Sequence, residues 1–262
     1  MRVKYDMFRM RKNWTQKIQE AVEVEKNSAD YARDYYDSEN GYVGLFALDT
    51  KIVTEMMILG NMFDATMGRG RHLLLFAGLG REVVGNDYNI HMLELAKQDL
   101  AKAGFQAPLY NLDVADLSAI PDASFDNILC LFSSLGCVPA IVKRERVLGE
   151  FSRILRPGGR VFVHVHNRWQ LTDGWRNFRI AFQLSWFQRK GLEPGDNLYE
   201  HDGLGGVTYN HYFTPSEFRS LFLKNKLVIV KEFYLNANQD DVISGWFKGW
   251  RAGGFIFVGQ KK

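Results

Sequence analysis

The chain has 262 residues, 46% hydrophobic and 24% charged, enough to bury one sizeable core with a small appendage, which excludes a disordered tail or a disulfide-stapled miniprotein. Thirty-three Lys and Arg against thirty Asp and Glu leave a formal charge of +3, short of the excess of a domain given over to phosphate backbones. Two cysteines, Cys130 and Cys137, lie in apolar sequence without Cys-x-x-Cys or clustered His/Cys spacing, so the expectation is a reducing compartment and no metal. No apolar run approaches the roughly 18 residues of a membrane span, and no apolar stretch follows the basic N-terminus, so the chain reads as soluble and cytoplasmic, without membrane contact.

From 14 to 36 the sequence lacks Gly and Pro and is rich in helix formers, and a second helical pattern runs from 45 to 57. From 58 onward short apolar runs alternate with helical periodicity, the pattern of βα units in a parallel sheet. Strands are predicted over 58–63, 82–86, 107–111, 125–132 and 160–166, and helices over 71–78, 89–103 and 143–155, the last stopped by Arg156-Pro157-Gly158-Gly159. An aromatic and basic stretch at 170–190 and a turn-rich one at 191–206 interrupt the pattern. Strands over 207–213, 227–235 and 254–260 and a helix over 215–225 close the chain. The N-terminal 57 residues are expected to form a helical lid, and 58–262 the core, with an insertion over about 168–213 capping the acceptor side.

Asp64-Ala65-Thr66-Met67-Gly68-Arg69-Gly70 falls where the first strand gives way to a helix. Glycine there lets backbone approach a ligand, and the helix start supplies free N–H donors. The second strand ends at Gly85-Asn86-Asp87-Tyr88, putting Asp87 about twenty residues beyond the turn, where a carboxylate can accept from both hydroxyls of a ribose. The pair selects a nucleoside-bearing cofactor.

These residues resemble the class I S-adenosylmethionine-dependent methyltransferases, whose first-strand motif reads acid-x-Gly-x-Gly-x-Gly; here Asp64 is followed by Thr66 in place of the first glycine, then Gly68 and Gly70. The likeness continues through Val84-Gly85-Asn86-Asp87, Met92-Leu93, Leu112-Asp113-Val114-Ala115-Asp116, Ser124-Phe125-Asp126-Asn127-Ile128-Leu129-Cys130 and Leu155-Arg156-Pro157-Gly158-Gly159. It implies an α/β, Rossmann-like fold: a seven-stranded, mostly parallel sheet with an antiparallel last strand, helices on both faces, an N-terminal helical lid and an inserted cap after strand 5. It also implies S-adenosyl-L-methionine as cofactor. By this likeness Asp64 orients the glycine loop, and Thr66, Gly68 and Gly70 lie along the methionine portion. Asp87 holds the ribose, Tyr88 packs along the adenine, Asp113 and Val114 meet its edge and face, Leu131, Phe132 and Ser133 run under the sulfonium, and Met92 is counted among the cofactor-binding residues.

Methyl transfer from a sulfonium is an in-line displacement whose acceleration comes largely from alignment and exclusion of water, so a missing catalytic triad is no objection. The fourth strand runs into Ser133-Ser134-Leu135-Gly136 rather than the Asn/Asp-Pro-Pro-aromatic motif of planar amino-nitrogen methylation. Cys137 lacks the preceding proline of a pyrimidine C5 nucleophile and reads as a packed thiol. Candidate catalytic groups are His166 and Arg168 at the end of strand 5, a base and an acceptor-binding fork, and Tyr36 in the lid. The reading is a methyltransferase acting on an oxygen or nitrogen of a small molecule, with an RNA acceptor and the oligomeric state left open. The alternatives are a noncatalytic methyltransferase-like interaction subunit and, third, a nicotinamide dehydrogenase, which the incomplete Gly-x-Gly-x-x-Gly disfavours.

Overall fold

The structure is a computed structural model, and it describes residues 14–30, 32, 43–169, 192–200 and 207–262. Two helices lead, α1 (Trp14–Asn27) and α2 (Val43–Met56). There follow β1 (Met62–Asp64), α3 (Arg71–Gly78), β2 (Val83–Asn86), α4 (Ile90–Lys102), β3 (Leu109–Tyr110), β4 (Phe125–Cys130), α5 (Ile141–Ile154) and β5 (Leu155–His166). A hairpin, β6 (Asp196–Glu200) with β7 (Val207–His211), precedes α6 (Pro215–Lys224), β8 (Leu227–Leu235), β9 (Val242–Ile243), α7 (Lys248–Arg251) and β10 (Gly254–Lys261).

The main sheet has the order β3-β2-β1-β4-β5-β10-β8-β9, eight strands where the sequence suggested seven; the addition is the two-residue β9. β1 pairs parallel with β2 and β4, β4 with β5, and β10 runs antiparallel between β5 and β8. Chain order reverses between β1 and β4, so the loops leaving their carboxyl ends diverge and open a crevice. Central strands are buried on both faces, which explains the unbroken apolar run Val161-Phe162-Val163 and its partner Phe255-Ile256-Phe257-Val258.

Two boundaries differ instructively from the sequence reading. β1 begins at Met62 rather than 58, because the 58–61 segment is held by side chains: Asn127 takes Ile58 N–H at 3.0 Å and Asp126 takes Asn61 N–H at 3.0 Å. The predicted strand over 207–213 is real to His211, but it pairs with β6 in a separate two-stranded sheet. An isolated parallel bridge, Asn167 to Phe213, ties that hairpin's exit to the end of β5. The start of α6 carries a capping box in which Thr214 and Glu217 bond reciprocally, with Pro215 in the first turn. Among the described residues no helix is long and apolar enough to cross a membrane.

Candidate cofactor cavity and acceptor side

The crevice is built by one buried amide. Asn86, at the end of β2, donates to the carbonyls of Ala65 (3.0 Å) and Leu112 (3.2 Å) and accepts from Leu112 N–H at 2.9 Å. It therefore pins the loops after β1 and β3 into one ledge. On that ledge Gly68, at φ 54°, turns its N–H onto Asp87 Oδ2 at 2.9 Å, while Asp87 Oδ1 accepts from Asn89 N–H at 2.9 Å. A left-handed residue at this turn favours glycine. The turn and the acid thus meet directly. Burial pushes the Asp87 carboxyl up to about 6, against the pull of the Asn89 and Gly68 N–H groups.

Asp64, Thr66 and Gly68 from the first loop line one cavity together with Asp87, Tyr88 and Met92 from the second, Asp113 and Val114 from the third, and Leu131 and Phe132 after β4. Thr66 Oγ1 is buried on this ledge beside the Cys130 thiol and meets no stronger hydrogen-bonding group of the fold. Asp113 closes its own turn by accepting from Ala115 N–H at 2.9 Å. Lys26 of α1 sits 4.6 Å over the ring of Tyr88.

Two expected cofactor residues stand elsewhere. Gly70 does not line the cavity: at φ 78° it begins α3, and a Cβ there would face Leu73 and Ala96 in the helical layer. Ser133 is fully buried behind the cavity wall, its Oγ taking His166 N–H at 3.2 Å and lying 3.4 Å from Asn210 Oδ1. Phe132 and Ser133 both have positive φ (58° and 60°), a costly arrangement for residues with side chains. It turns the chain sharply after β4 and leaves Phe132 facing the cavity, 5.2 Å from the ring of Phe46 on α2.

The sequence reading missed a charged floor at the Asp64 end. Arg71 pairs closely with the fully buried Asp49 of α2, donates to Thr50 Oγ1 at 3.0 Å and lies 4.4 Å over the ring of Phe46. His72 lies 3.7 Å from Asp49 and 3.6 Å from Asp64. Burial alone would lower the pKa of His72, but the Asp49 and Asp64 carboxylates outweigh it and hold the imidazole above its ordinary range. For Asp49 burial pulls upward, yet His72 and Arg71 leave it below the usual carboxylate range. Arg71 and His72 follow the glycine turn directly, which was the available signal; nothing in the sequence around Asp49 marked it.

At the end of β5, outside the lining of that cavity, His166 is partly buried, its ring 5.3 Å from Tyr212 and its Nδ1 3.2 Å from Gln239 Nε2. Arg168 departs from the expectation of a free fork: Nε donates to Tyr212 O at 3.1 Å and Nη2 to Glu217 Oε2 at 2.7 Å, leaving the side chain 9% exposed. It ties the end of β5 to the start of α6. Tyr36, with Tyr31 and Tyr35, lies outside the described residues, as does the aromatic segment from Gln170. Glu193, Asp196 and His211 bring ligand-type atoms within 4.8 Å of one another. Those atoms are already engaged, however: His211 bonds Asp196 (2.7 Å) and Glu217 (2.8 Å), and Glu193 pairs with the wholly buried Arg144. That trio is an ion-pair network closed on itself.

Residues 62–159 match the family model described as a methyltransferase domain. Among curated proteins, the chain is 32% identical over 179 residues to the S-adenosyl-L-methionine-dependent Diels-Alderase iccD of Talaromyces variabilis, covering 66% of this chain and 59% of that one. It is 33% identical over 109 residues to the ubiquinone/menaquinone biosynthesis C-methyltransferase UbiE of Geotalea daltonii, covering 40% and 44% respectively. The chain thus spans less than two thirds of these relatives' lengths. Among solved structures, an S-adenosylmethionine-dependent methyltransferase of Methanosarcina mazei superposes with a TM-score of 0.64 at 22% identity, over 80% of this chain and 96% of that one.

Proposed function

Because this chain carries a class I S-adenosylmethionine-dependent methyltransferase domain, we propose that it binds S-adenosyl-L-methionine on the ledge after β1, β2 and β3 and transfers the methyl group to a small-molecule acceptor. The observation that carries the reading is the Gly68–Asp87 contact with an open cavity in front of it. When bound, the cofactor supplies an electrophilic methyl on a sulfonium. Asp87 accepts from the ribose hydroxyls, each of its oxygens retaining a lone pair beside its backbone partner. Tyr88 and Val114 flank the base, Asp113 meets its edge, and Thr66 Oγ1 exchanges its weak thiol neighbour for a polar group of the cofactor. Arg71 holds the methionine carboxylate, already aligned by Asp49 and Thr50.

Of the N-terminal segment, α2 acts as the cover over this end, a role supported by the contacts of its Phe46 and Asp49 with Arg71, His72 and Phe132. Phe46 and Phe132 exclude water where the methyl is displaced. The acceptor is placed beyond the Phe132 wall, at the end of β5, where the partly open His166 meets it. Calorimetry with the cofactor and with S-adenosylhomocysteine tests the binding half; an absence of heat from folded protein favours an interaction subunit. Mass spectrometry of acceptor pools incubated with protein and cofactor tests the transfer half, a gain of one methyl being the expected result.

A second reading has one specific support, the Diels-Alderase named for the Talaromyces relative. In it the same cavity holds the cofactor, but the acceptor side promotes a cycloaddition without consuming the methyl. The two separate cleanly: methyl transfer accumulates S-adenosylhomocysteine in step with product, and a cycloaddition leaves the cofactor intact.

A further inference from the structure

The turn between β8 and β9 reaches back over the end of β5. Its Gln239 stands at φ 60°, a conformation that costs energy for any residue with a side chain. Its amide lies between two imidazoles: Oε1 is 2.7 Å from His164 Nε2, and Nε2 is 3.2 Å from His166 Nδ1. Strain held at one residue whose side chain bridges two histidines points to a functional constraint.

The proton positions follow from a vacancy on the far histidine. His164 is fully buried and its Nδ1 has no hydrogen-bond partner. A proton there would be an orphaned buried donor, whereas a proton on Nε2 is accepted by the Gln239 carbonyl and leaves only a bare lone pair at Nδ1, the smaller loss. This argument fixes which way the amide points: carbonyl to His164, NH2 to His166 Nδ1. Nδ1 of His166 is then an acceptor, and the neutral ring carries its proton on Nε2. Both rings are held neutral. Burial pushes His164 down to about 4, with Asp49 and Arg71 opposing one another across it, and burial with the neighbouring His164 takes His166 down to about 3. Among the described residues none bonds His166 Nε2, and the ring edge is partly open beside Tyr212.

We propose that Gln239 is a positioning residue that locks His166 into its Nε2–H tautomer, so that His166 meets the methyl acceptor as a fixed hydrogen-bond donor and not as a general base. The inference rests on the reading of His166 as an acceptor contact given above. It selects acceptors that carry a carbonyl, carboxylate or phenolate oxygen beside the atom to be methylated. A proton lost from the acceptor goes to solvent, not to this imidazole.

Ring-nitrogen NMR of the full chain labelled with 15N-histidine tests the tautomer without any acceptor. The expected spectrum shows His166 Nδ1 as the bare nitrogen and Nε2 as the protonated one, unchanged down to pH 5. A proton on Nδ1, or a titration above pH 6, overturns the proposal. Gln239→Glu should move the His166 proton to Nδ1, since a carboxylate only accepts; an unmoved proton also overturns it. The donor role is read from transfer of radiolabelled methyl into the acceptor pools: His166→Gln, which keeps an N–H, should retain at least a tenth of the rate, and His166→Phe should fall a further tenfold or more. Equal loss in both variants overturns the donor role. If wild type labels no pool, the transfer reading fails, while the ring assignment stands or falls on its spectrum.

Discussion

The ledge that lines the cavity and the region proposed for the acceptor, at the end of β5, are built by opposite means. On the cofactor side the decisive contacts join residues within about one βα unit: Gly68 with Asp87 and Asn86 with Ala65 are 19 and 21 positions apart, and each uses a backbone group. On the acceptor side they join side chains from distant segments, His166 with Gln239 at 73 positions, Arg168 with Glu217 at 49, Arg144 with Tyr209 at 65. Backbone-built sites need a particular residue only where φ or a close approach demands one. Side-chain-built sites need every partner present, because a buried charge left alone is costly.

The largest effect expected from this contrast is at Arg144. It is fully buried, donates to Val138 O at 2.9 Å, pairs with Glu193 and packs against Tyr209, itself bonded to Asp196 at 2.7 Å. Arg144→Met should destabilise the fold by about 3 kcal/mol or more, since it leaves buried acceptors and Glu193 uncompensated. Urea denaturation reads this directly. A loss below about 1 kcal/mol would mean the acceptor side is not the interdependent structure described.

Next comes Asp87→Asn, which keeps the shape and an acceptor oxygen but loses the charge. Cofactor affinity should fall about a hundredfold, the worth of one or two hydrogen bonds to a charged group. The melting temperature should fall modestly, because the Asn NH2 must face one of the two backbone N–H groups, Gly68 or Asn89, from which the carboxylate accepts, while relief of the buried charge offsets part of that loss. Calorimetry and thermal melts on one sample separate binding from folding. Unchanged affinity would remove Asp87 from the ribose.

The same carboxyl makes a pH prediction. A folded pKa raised to about 6 means that below that value Asp87 is protonated and has lost acceptor capacity. Binding requires the ionised form, so cofactor affinity should fall by up to tenfold per pH unit below about 6, with a proton released on binding. Stability runs the other way: the contribution of this group is fully present below the ordinary aspartate pKa and is lost as pH rises through 6. A flat affinity between pH 5 and 7 in wild type would break the link.

The contrast also explains what the sequence made legible. Parallel strands buried on both faces leave continuous apolar runs, and the glycine turn and Asp87 sit at a spacing fixed by βα geometry, so the fold and the meeting of that turn with that acid could be read from the chain. Gly70 and Ser133 were assigned by motif position, whereas their environments are decided by packing on Leu73 and Ala96 and by the reversal after β4. Arg168 carried the right chemistry for a substrate fork, but Glu217, placed opposite it by the capping box of α6, claims the guanidinium. Gln239 was invisible because nothing local distinguishes one glutamine in a turn. Its meaning comes from two histidines more than seventy residues away.

The smallest effect is expected at Arg71, where the ledge meets α2. Its guanidinium is 26% exposed on the side chain and already shares its charge with Asp49, so its hold on a carboxylate is partly screened. Arg71→Gln should therefore weaken S-adenosylhomocysteine only about three- to tenfold, of order 1 kcal/mol. His72 remains beside Asp49 in that variant, so the buried acid is not stranded and the fold should survive. The comparison that decides the role uses 5′-methylthioadenosine, which has the nucleoside and the sulfur but no amino-acid carboxylate. If Arg71 grips the carboxylate, this shorter ligand binds wild type and variant alike. Equal weakening of both ligands would instead mean that Arg71 shapes the ledge through Phe46 and α2, and that the carboxylate is held by another group.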